Sequence, residues 1–345
     1  MESLDYTPCC SLEVHRSVED VCNSPTLVSQ IGKNSHSKFC VVVVTGNPGM
    51  IEFYEVFMLQ LHKASKCHLE VVGISQAGHS PVWKYAKDDS AQSYKKADCK
   101  NLKYQIEHKI AFVDEYVPKD KQLILIGHSI GAYIVLKMLE NRRIEQRACK
   151  TVLLFPTIEN LKYTPNGNFW DPVSFYFRHP FALTAWLLSF TPLWMRKMLV
   201  DWRTSWKGRD THPQLVDAFM QCVSYTLMNN ALYMAASEMK HVNEVDENMA
   251  QIIDRNINKI TFYYGVDDKW APVHFYDSMK KRFPNGDIRL CEHGFEHDFV
   301  VDSSEDVAGL VWDMISHLNN NFCIEKVDHR ETETNRSIVT KKECC

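Results

Sequence analysis

Leu123-Ile124-Leu125-Ile126-Gly127-His128-Ser129-Ile130-Gly131-Ala132-Tyr133 is the stretch on which the reading of this chain turns. An apolar run of strand length breaks at Gly-His-Ser-Ile-Gly, and Ile134, Val135, Met138 and Leu139 follow at helical spacing. A strand that turns this sharply into a helix is a nucleophile elbow, which holds its central side chain, Ser129, clear of the sheet edge. The backbone there runs close to its neighbours, so only small residues fit two positions to either side. Gly127 and Gly131 meet that demand. The N–H of Ile130 opens the helix and points where an oxyanion would form. The five-residue pattern alone also fits a serine in a Gly-flanked loop. The strand before it and the helical periodicity after it favour the elbow.

Working outward, Phe39–Thr45 is a nearly unbroken β-branched run, the mark of a strand buried on both faces. It ends in Gly46-Asn47-Pro48-Gly49. If Ser129 is a nucleophile, this loop supplies the second oxyanion N–H, with Asn47 the best candidate and Met50 the alternative. A plain Gly/Pro turn is the competing reading. Phe53–Ala64 reads as a helix, His68–Ile74 as a strand, Asp98–Val117 as a helix and Lys150–Phe155 as the strand after the elbow helix. Gly78 and His79 belong to the turn after His68–Ile74. Short connections between alternating strands and helices predict parallel strands with right-handed crossovers. Residues 1–38 are weakly patterned, with short strands expected over Ser11–Arg16 and Thr26–Ile31.

The chain has 345 residues, 45% of them hydrophobic and 24% charged, enough for one large α/β domain with an insertion or for two domains. A formal net charge of −4 gives no general attraction to nucleic acid, and none is expected as a partner. The first ten residues lack a basic segment followed by an apolar one, and Glu2 stands where N-myristoylation needs glycine, so a cytosol-facing protein is expected. Twelve cysteines without a Cys-x-x-Cys pair argue against a zinc framework or a disulfide scaffold and fit reduced thiols. Cys344 and Cys345 lack a C-a-a-X box, since Lys342 is fourth from the end.

From residue 157 to 248 strands vanish and aromatic residues crowd in, the pattern of a helical insertion. It holds Trp170, Trp186, Trp194, Trp202 and Trp206 of the eight tryptophans, and the sixteen residues Pro180–Met195 carry no charge. Sixteen residues interrupted by Pro192 are short of the ~20 that cross a bilayer as one helix. They suit a bent helical hairpin, with Arg178, His179, Arg196 and Lys197 at its ends and tryptophans at interfacial positions. Trp186, Leu187, Leu188 and Trp194 are the expected membrane-associating residues. A lid packed over the active site is the alternative, and the two are compatible.

The sheet resumes at Ile260–Tyr264 and leads into Gly265-Val266-Asp267-Asp268, a loop suited to an acidic residue that orients a histidine. Pro272–Arg282 is the next helix and Asp287–Leu290 the last strand. His293 and His297 lie beyond it, before a closing helix with apolar positions from Val307 to Leu318. Ser129, then Asp267 or Asp268, then His293 or His297 is the chain order of α/β-hydrolase triads, in which an imidazole takes the serine proton and a carboxylate holds its tautomer. A rival is visible: His293-Gly294-Phe295-Glu296-His297 matches H-x-x-E-H of a zinc peptidase family. Gly294 weakens the helix that motif needs, no companion ligand is in view, and no metal or cofactor is expected.

The Gly-His-Ser-Ile-Gly elbow, the Val-Val-Thr-Gly-Asn-Pro-Gly-Met-Ile-Glu-Phe-Tyr stretch and the late His-Gly-Phe-Glu-His-Asp-Phe-Val segment occur together. The chain thereby resembles the lipid droplet-associated hydrolase family over roughly residues 35–322. Gly-Asn-Pro-Gly stands where other α/β-hydrolases commonly open with His-Gly. The resemblance implies an α/β-hydrolase fold, with a mostly parallel, doubly wound sheet over 39–156 and 249–322 and a Trp-rich helical cap over 157–248; residues 323–345 lie outside it and read from their polar, charged composition as a disordered tail. The resemblance implies Ser129 as nucleophile, Asp268 as acid and His297 as base, to which the reading of the residues adds the Ile130 and Asn47 amides as expected oxyanion donors. It also implies a lipid ester substrate, sterol esters foremost, and a place at the lipid droplet monolayer and the endoplasmic reticulum membrane. Reach favours the same two residues: Asp268 lies at the apex of its loop, and His297 has more chain than His293 in which to return to Ser129. A second reading is a droplet-surface protein that retains the fold mainly for binding.

Overall fold

A computed structural model describes residues 13–33, 35, 37–85, 99–198 and 213–321. Its centre is an eight-stranded sheet in the order β1-β2-β4-β3-β5-β6-β7-β8. The strands are β1 (His15–Val21), β2 (Ser24–Ile31), β3 (Phe39–Val44), β4 (Glu70–Ile74), β5 (Gln122–His128), β6 (Ala148–Leu154), β7 (Ile260–Tyr264) and β8 (Asp287–Leu290). β4, β3, β5, β6, β7 and β8 pair in parallel, while β1 and β2 form an antiparallel hairpin whose second strand lies against β4.

Alternation along the buried strands divides the core between two faces, because successive side chains point to opposite sides of a sheet. Cys40, Val42 and Val44 of β3 join Leu123 and Leu125 of β5 in one cluster. Phe39, Val41 and Val43 join Ile124 and Ile126 in the other. Each fully buried Val, Leu or Ile contributes about 1.5–3 kcal/mol relative to exposure. Helices α1 (Glu55–Ala64) and Ser304–Ile315 pack together over the second face; α2 (Leu102–Tyr116) and α3 (Ile130–Met138) pack together over the first, and the short α4 (Arg142–Arg147) leads into β6. The sheet is therefore doubly wound.

The amino-terminal hairpin departs from expectation. Its first strand runs from His15 to Val21 rather than over Ser11–Arg16, of which 11 and 12 lie outside the described residues. As an outer strand, β1 is mostly half-buried and carries His, Arg, Glu and Asp, so it shows no clean apolar alternation to read. Cys22 and Asn23 close the hairpin with positive φ at both positions (53° and 57°), the two-residue turn whose twist suits paired strands. Cys22, Cys40, Cys99, Cys149, Cys222 and Cys291 are reduced thiols, whereas Cys67 is in a disulfide, contrary to the expectation of thiols alone.

Between β6 and β7 the described residues form helices and no strand. Thr164 caps α5 (Pro165–Tyr176) by accepting from the Gly167 N–H at 2.9 Å, with Pro165 at the first helical position. α6 (Arg178–Ser189) follows, then a second helical stretch at 193–198 beyond Pro192. Trp202 and Trp206 lie outside the described residues. Both α5 and α6 rest on the long helix Tyr225–His241. That helix sits on the loops after β3 and β4, through Asn47 and through the Asn230 side chain, which donates to the Gly78 carbonyl at 2.9 Å.

The turn at Ser129 is fixed by close backbone contacts. A Cβ on Gly131 would overlap the Val44 carbonyl and lie 2.7 Å from that of Thr45; one on Gly127 would lie 2.6 Å from the Gly131 carbonyl. Gly131→Ala should thus cost about 1–3 kcal/mol through overpacking against backbone. Gly309→Ala, on an exposed helical face with nothing within 4 Å of the new carbon, should gain up to about 1 kcal/mol from helix propensity. Urea unfolding of the two variants beside the parent checks both signs.

Candidate active site

Ser129 holds φ 55° and ψ −124°, a backbone conformation rarely taken by a side-chain-bearing residue. Its N–H donates to the Leu154 carbonyl at 3.0 Å, and its own carbonyl accepts from Ala132 at 2.9 Å and Thr157 at 3.3 Å. The elbow is pinned to the end of β6 as well as to β3. The Ser129 hydroxyl lies 2.8 Å from His297 Nε2, and His297 Nδ1 lies 2.7 Å from Asp268 Oδ2.

These partners set the direction of each bond. An ionised carboxylate can only accept, so Nδ1 carries the imidazole proton, Nε2 accepts, and the Ser129 O–H donates. The other oxygen of Asp268 accepts from the N–H groups of Trp270 at 2.7 Å and Ala271 at 3.0 Å. Burial by itself would raise the pKa of this carboxyl. The charge and hydrogen bond of His297, with the two backbone amides, overcome that penalty and hold it below the usual value. Phe155 and Trp270 flank the His297 ring, with centroids 6.1 and 6.2 Å away.

Asp267 is exposed, whereas the Asp268 side chain is almost wholly buried. His293 is exposed and stacks on Phe295. Residues 293–297 are not helical, His297 already engages Asp268, and among the described residues no group of three His, Cys, Asp or Glu is placed to hold a metal ion.

The backbone amides from Gly46 to Met50 can be taken one by one. The Gly46 N–H donates to Tyr54 Oη at 2.8 Å and the Gly49 N–H to His79 Nδ1 at 3.0 Å, while Pro48 has none to offer. Asn47 and Met50, the two candidates named from the sequence, are the loop amides left without an acceptor among the described residues. Gly46 lies against Ser129: a Cβ there would be 3.2 Å from Ser129 Cβ. Ile130 is the first residue of α3, so its N–H has no intrahelical acceptor.

The Asn47 side chain introduces a residue that the sequence gave no reason to single out. Its Nδ2 donates to the Ala231 carbonyl at 3.0 Å and to Glu238 Oε1 at 2.9 Å, both on helix Tyr225–His241. Glu238 looks like an ordinary helix-surface charge until the helix is docked, which buries it. Burial pushes its carboxyl up to about 8, only partly opposed by the hydrogen bond from Asn47.

Comparison with known proteins places this architecture. The sequence pattern of the family described as lipid-droplet associated hydrolase matches residues 37–300. The chain belongs to that family. A lipid droplet-associated hydrolase of Rattus norvegicus is 38% identical over 82% of this chain and 86% of its own length, and one of Gallus gallus is 36% identical over 79% and 83%. Among solved structures, a serine hydrolase from Cycloclasticus zankles superposes with a TM-score of 0.57 at 12% identity, over 87% of this chain and 98% of its own. A carboxylesterase of Nitrososphaera gargenis does so with a TM-score of 0.58 at 13% identity, over 90% and 100%. At such identities the likeness establishes the α/β-hydrolase fold.

The Glu238 carboxyl has a titration consequence. Its folded pKa stands above the ordinary 4.5, so its contribution to stability is complete below that value and is lost as pH rises toward about 8. Glu238→Gln, which keeps the shape without the ionisation, should flatten that decline, as read by urea unfolding at intervals between pH 5 and 9.

Proposed function

We propose that this protein hydrolyses lipid carboxylic esters, sterol esters foremost, at the surface of lipid droplets through an acyl-enzyme on Ser129. The observation that carries this reading is the unbroken hydrogen-bond sequence from the Ser129 hydroxyl through His297 to Asp268, at 2.8 and 2.7 Å. His297 Nε2 takes the serine proton as Oγ attacks the ester carbonyl, and Asp268 stabilises the imidazolium that forms. The Ile130 and Asn47 amides hold the oxyanion. The imidazolium then protonates the departing alcohol, and water, activated by the same nitrogen, releases the fatty acid and restores the serine. No cofactor enters this scheme. The choice of sterol esters, and of the endoplasmic reticulum membrane as a second location on its cytosolic face, rests on the family resemblance.

The cap supports a lipid surface as the place of action. Ala182 and Ala185 are buried toward the supporting helix, while Trp186, Leu187, Leu188 and Trp194 are 41–63% exposed. A helix that turns its small residues inward and its large apolar ones outward is built for an apolar exterior. No described helix is long and apolar enough to cross a membrane. In this reading residues 180–200 dip into the droplet monolayer and return, with Arg196 and Lys197 at the headgroups. Positions 199 and 200 lie outside the described residues.

Two experiments test the reading. Ser129→Ala should abolish ester turnover and fluorophosphonate labelling without loss of fold. Asp268→Asn and His297→Ala should each lower turnover by on the order of a thousandfold or more, against mild effects for Asp267→Asn and His293→Ala. Turnover by Ser129→Ala equal to the parent would overturn the Ser129 mechanism, and a parent chain that neither labels nor hydrolyses ester would leave surface binding as the function.

For the hairpin, the pair Leu187→Arg with Leu188→Asp places two charges in the apolar layer at about 2.5–3.5 kcal/mol each. Droplet localisation should be lost, with melting temperature and soluble-ester turnover retained. A variant that still coats droplets removes the hairpin, and one that unfolds identifies a packed lid.

A further inference from the structure

The loop after β3 and the backbone of His297 are joined by a buried polar chain that the ester chemistry does not itself use. Gly46 N–H donates to Tyr54 Oη at 2.8 Å, the Tyr54 hydroxyl lies 2.6 Å from His128 Nδ1, and His128 Nε2 lies 2.8 Å from the His297 carbonyl oxygen. The two ends dictate every proton between them. A carbonyl can only accept, so His128 Nε2 carries the hydrogen; Nδ1 must then accept, and the Tyr54 hydroxyl must donate. The Tyr54 oxygen is thereby left to accept from Gly46. Tyr54 is 3% exposed and His128 6%, so water does not compete for these positions.

Burial, with the nearby His297 ring, pushes the His128 pKa down to about 3, in keeping with a neutral ring that donates from one nitrogen only. A protonated His128 would present a donor at both nitrogens and break the bond from Tyr54.

A buried tyrosine and histidine need partners in any fold. What distinguishes this pair is where the chain ends. One terminus is Gly46, against Ser129 and next to the Asn47 amide; the other is the residue whose ring engages the Ser129 hydroxyl. His128 is itself the neighbour of Ser129 in the elbow. Three segments that must be held in register for acyl transfer meet through two side chains.

We propose that Tyr54 and His128 are positioning residues that fix the separation between the oxyanion loop and His297, and with it the fit of the site to the tetrahedral intermediate. The proposal rests on the ester-hydrolase reading above. Neither side chain touches substrate. Their removal acts through the placement of the Asn47 amide and the His297 ring, and displacements of about 1 Å cost on the order of a hundredfold in such sites.

The test is steady-state hydrolysis of a soluble ester by the full chain, normalised to active sites counted by fluorophosphonate titration, with melting temperature alongside. Tyr54→Phe should lower kcat about 10–100-fold with KM within about twofold, because transition-state fit is lost and ground-state binding is not. His128→Gln, which retains an N–H for the His297 carbonyl, should keep more turnover than His128→Leu. The double variant Tyr54→Phe with His128→Asn should lose no more than the worse single one, as parts of one unit do.

Unchanged kcat per titrated site in Tyr54→Phe, or losses that multiply in the double variant, would overturn the proposal. A lowered melting temperature with normal kcat would reduce the pair to structural support and overturn it equally. Should Tyr54→Phe not fold, His128→Asn carries the same comparison. Ser129→Ala, run in parallel, separates the two levels. If it turns over ester, the hydrolase reading fails; if it is inactive while Tyr54→Phe matches the parent, the positioning claim alone fails.

Discussion

Everything at this site depends on one close approach, the Gly131 backbone against the carbonyls of Val44 and Thr45. It allows α3 to start directly at the end of β5 and leaves Ser129 with a positive φ. Such a conformation costs about 1–3 kcal/mol and persists only where the surroundings over-determine it. Here they do so from two sides: β3 supplies the surface that only glycine can meet, and the Leu154 carbonyl on β6 takes the Ser129 N–H. The central strands are buried on both faces, so the elbow is anchored in the least mobile part of the fold.

Legibility in the sequence followed burial and chain locality. β3, the elbow, β7 and β8 could be read because each is a short run whose neighbours in sequence determine its state. Ser129, Asp268 and His297 could be named because each follows a parallel strand, and chain order alone suggests which strand. β1 was misplaced because a half-buried outer strand has no face that must be apolar. Glu238 and the Tyr54–His128 pair were invisible for another reason. Asn47 meets Glu238 across 191 positions and Tyr54 meets His128 across 74, and nothing local to a glutamate or tyrosine announces a partner so far away. The thiol expectation failed at Cys67 because spacing between cysteines says little about one isolated pairing.

Helix Tyr225–His241 occupies an unusual place between surface and chemistry. On one side it carries α5 and α6 with their outward-facing aromatic residues; on the other its Ala231 carbonyl and Glu238 carboxyl hold the Asn47 side chain. A buried polar clasp of this kind is worth more than its bond count suggests, since releasing it leaves an amide and a carboxyl unsatisfied in an apolar setting. The apolar face and the loop beside Ser129 thus share one rigid support.

The position of the cap between β6 and β7 also imposes an order in time. On the ribosome, Ser129 is made first, the exposed apolar segment ending at 198 second, and Asp268 and His297 last. About a hundred residues separate 198 from His297, which at roughly 5–20 residues per second is some 5–20 s of synthesis. Throughout that interval the nascent chain carries its exposed apolar side chains without His297, whose ring meets the Ser129 hydroxyl in the folded protein. The order of the chain thus sets surface before site: the apolar segment is complete while the residues that meet Ser129 in the folded protein are still to be made.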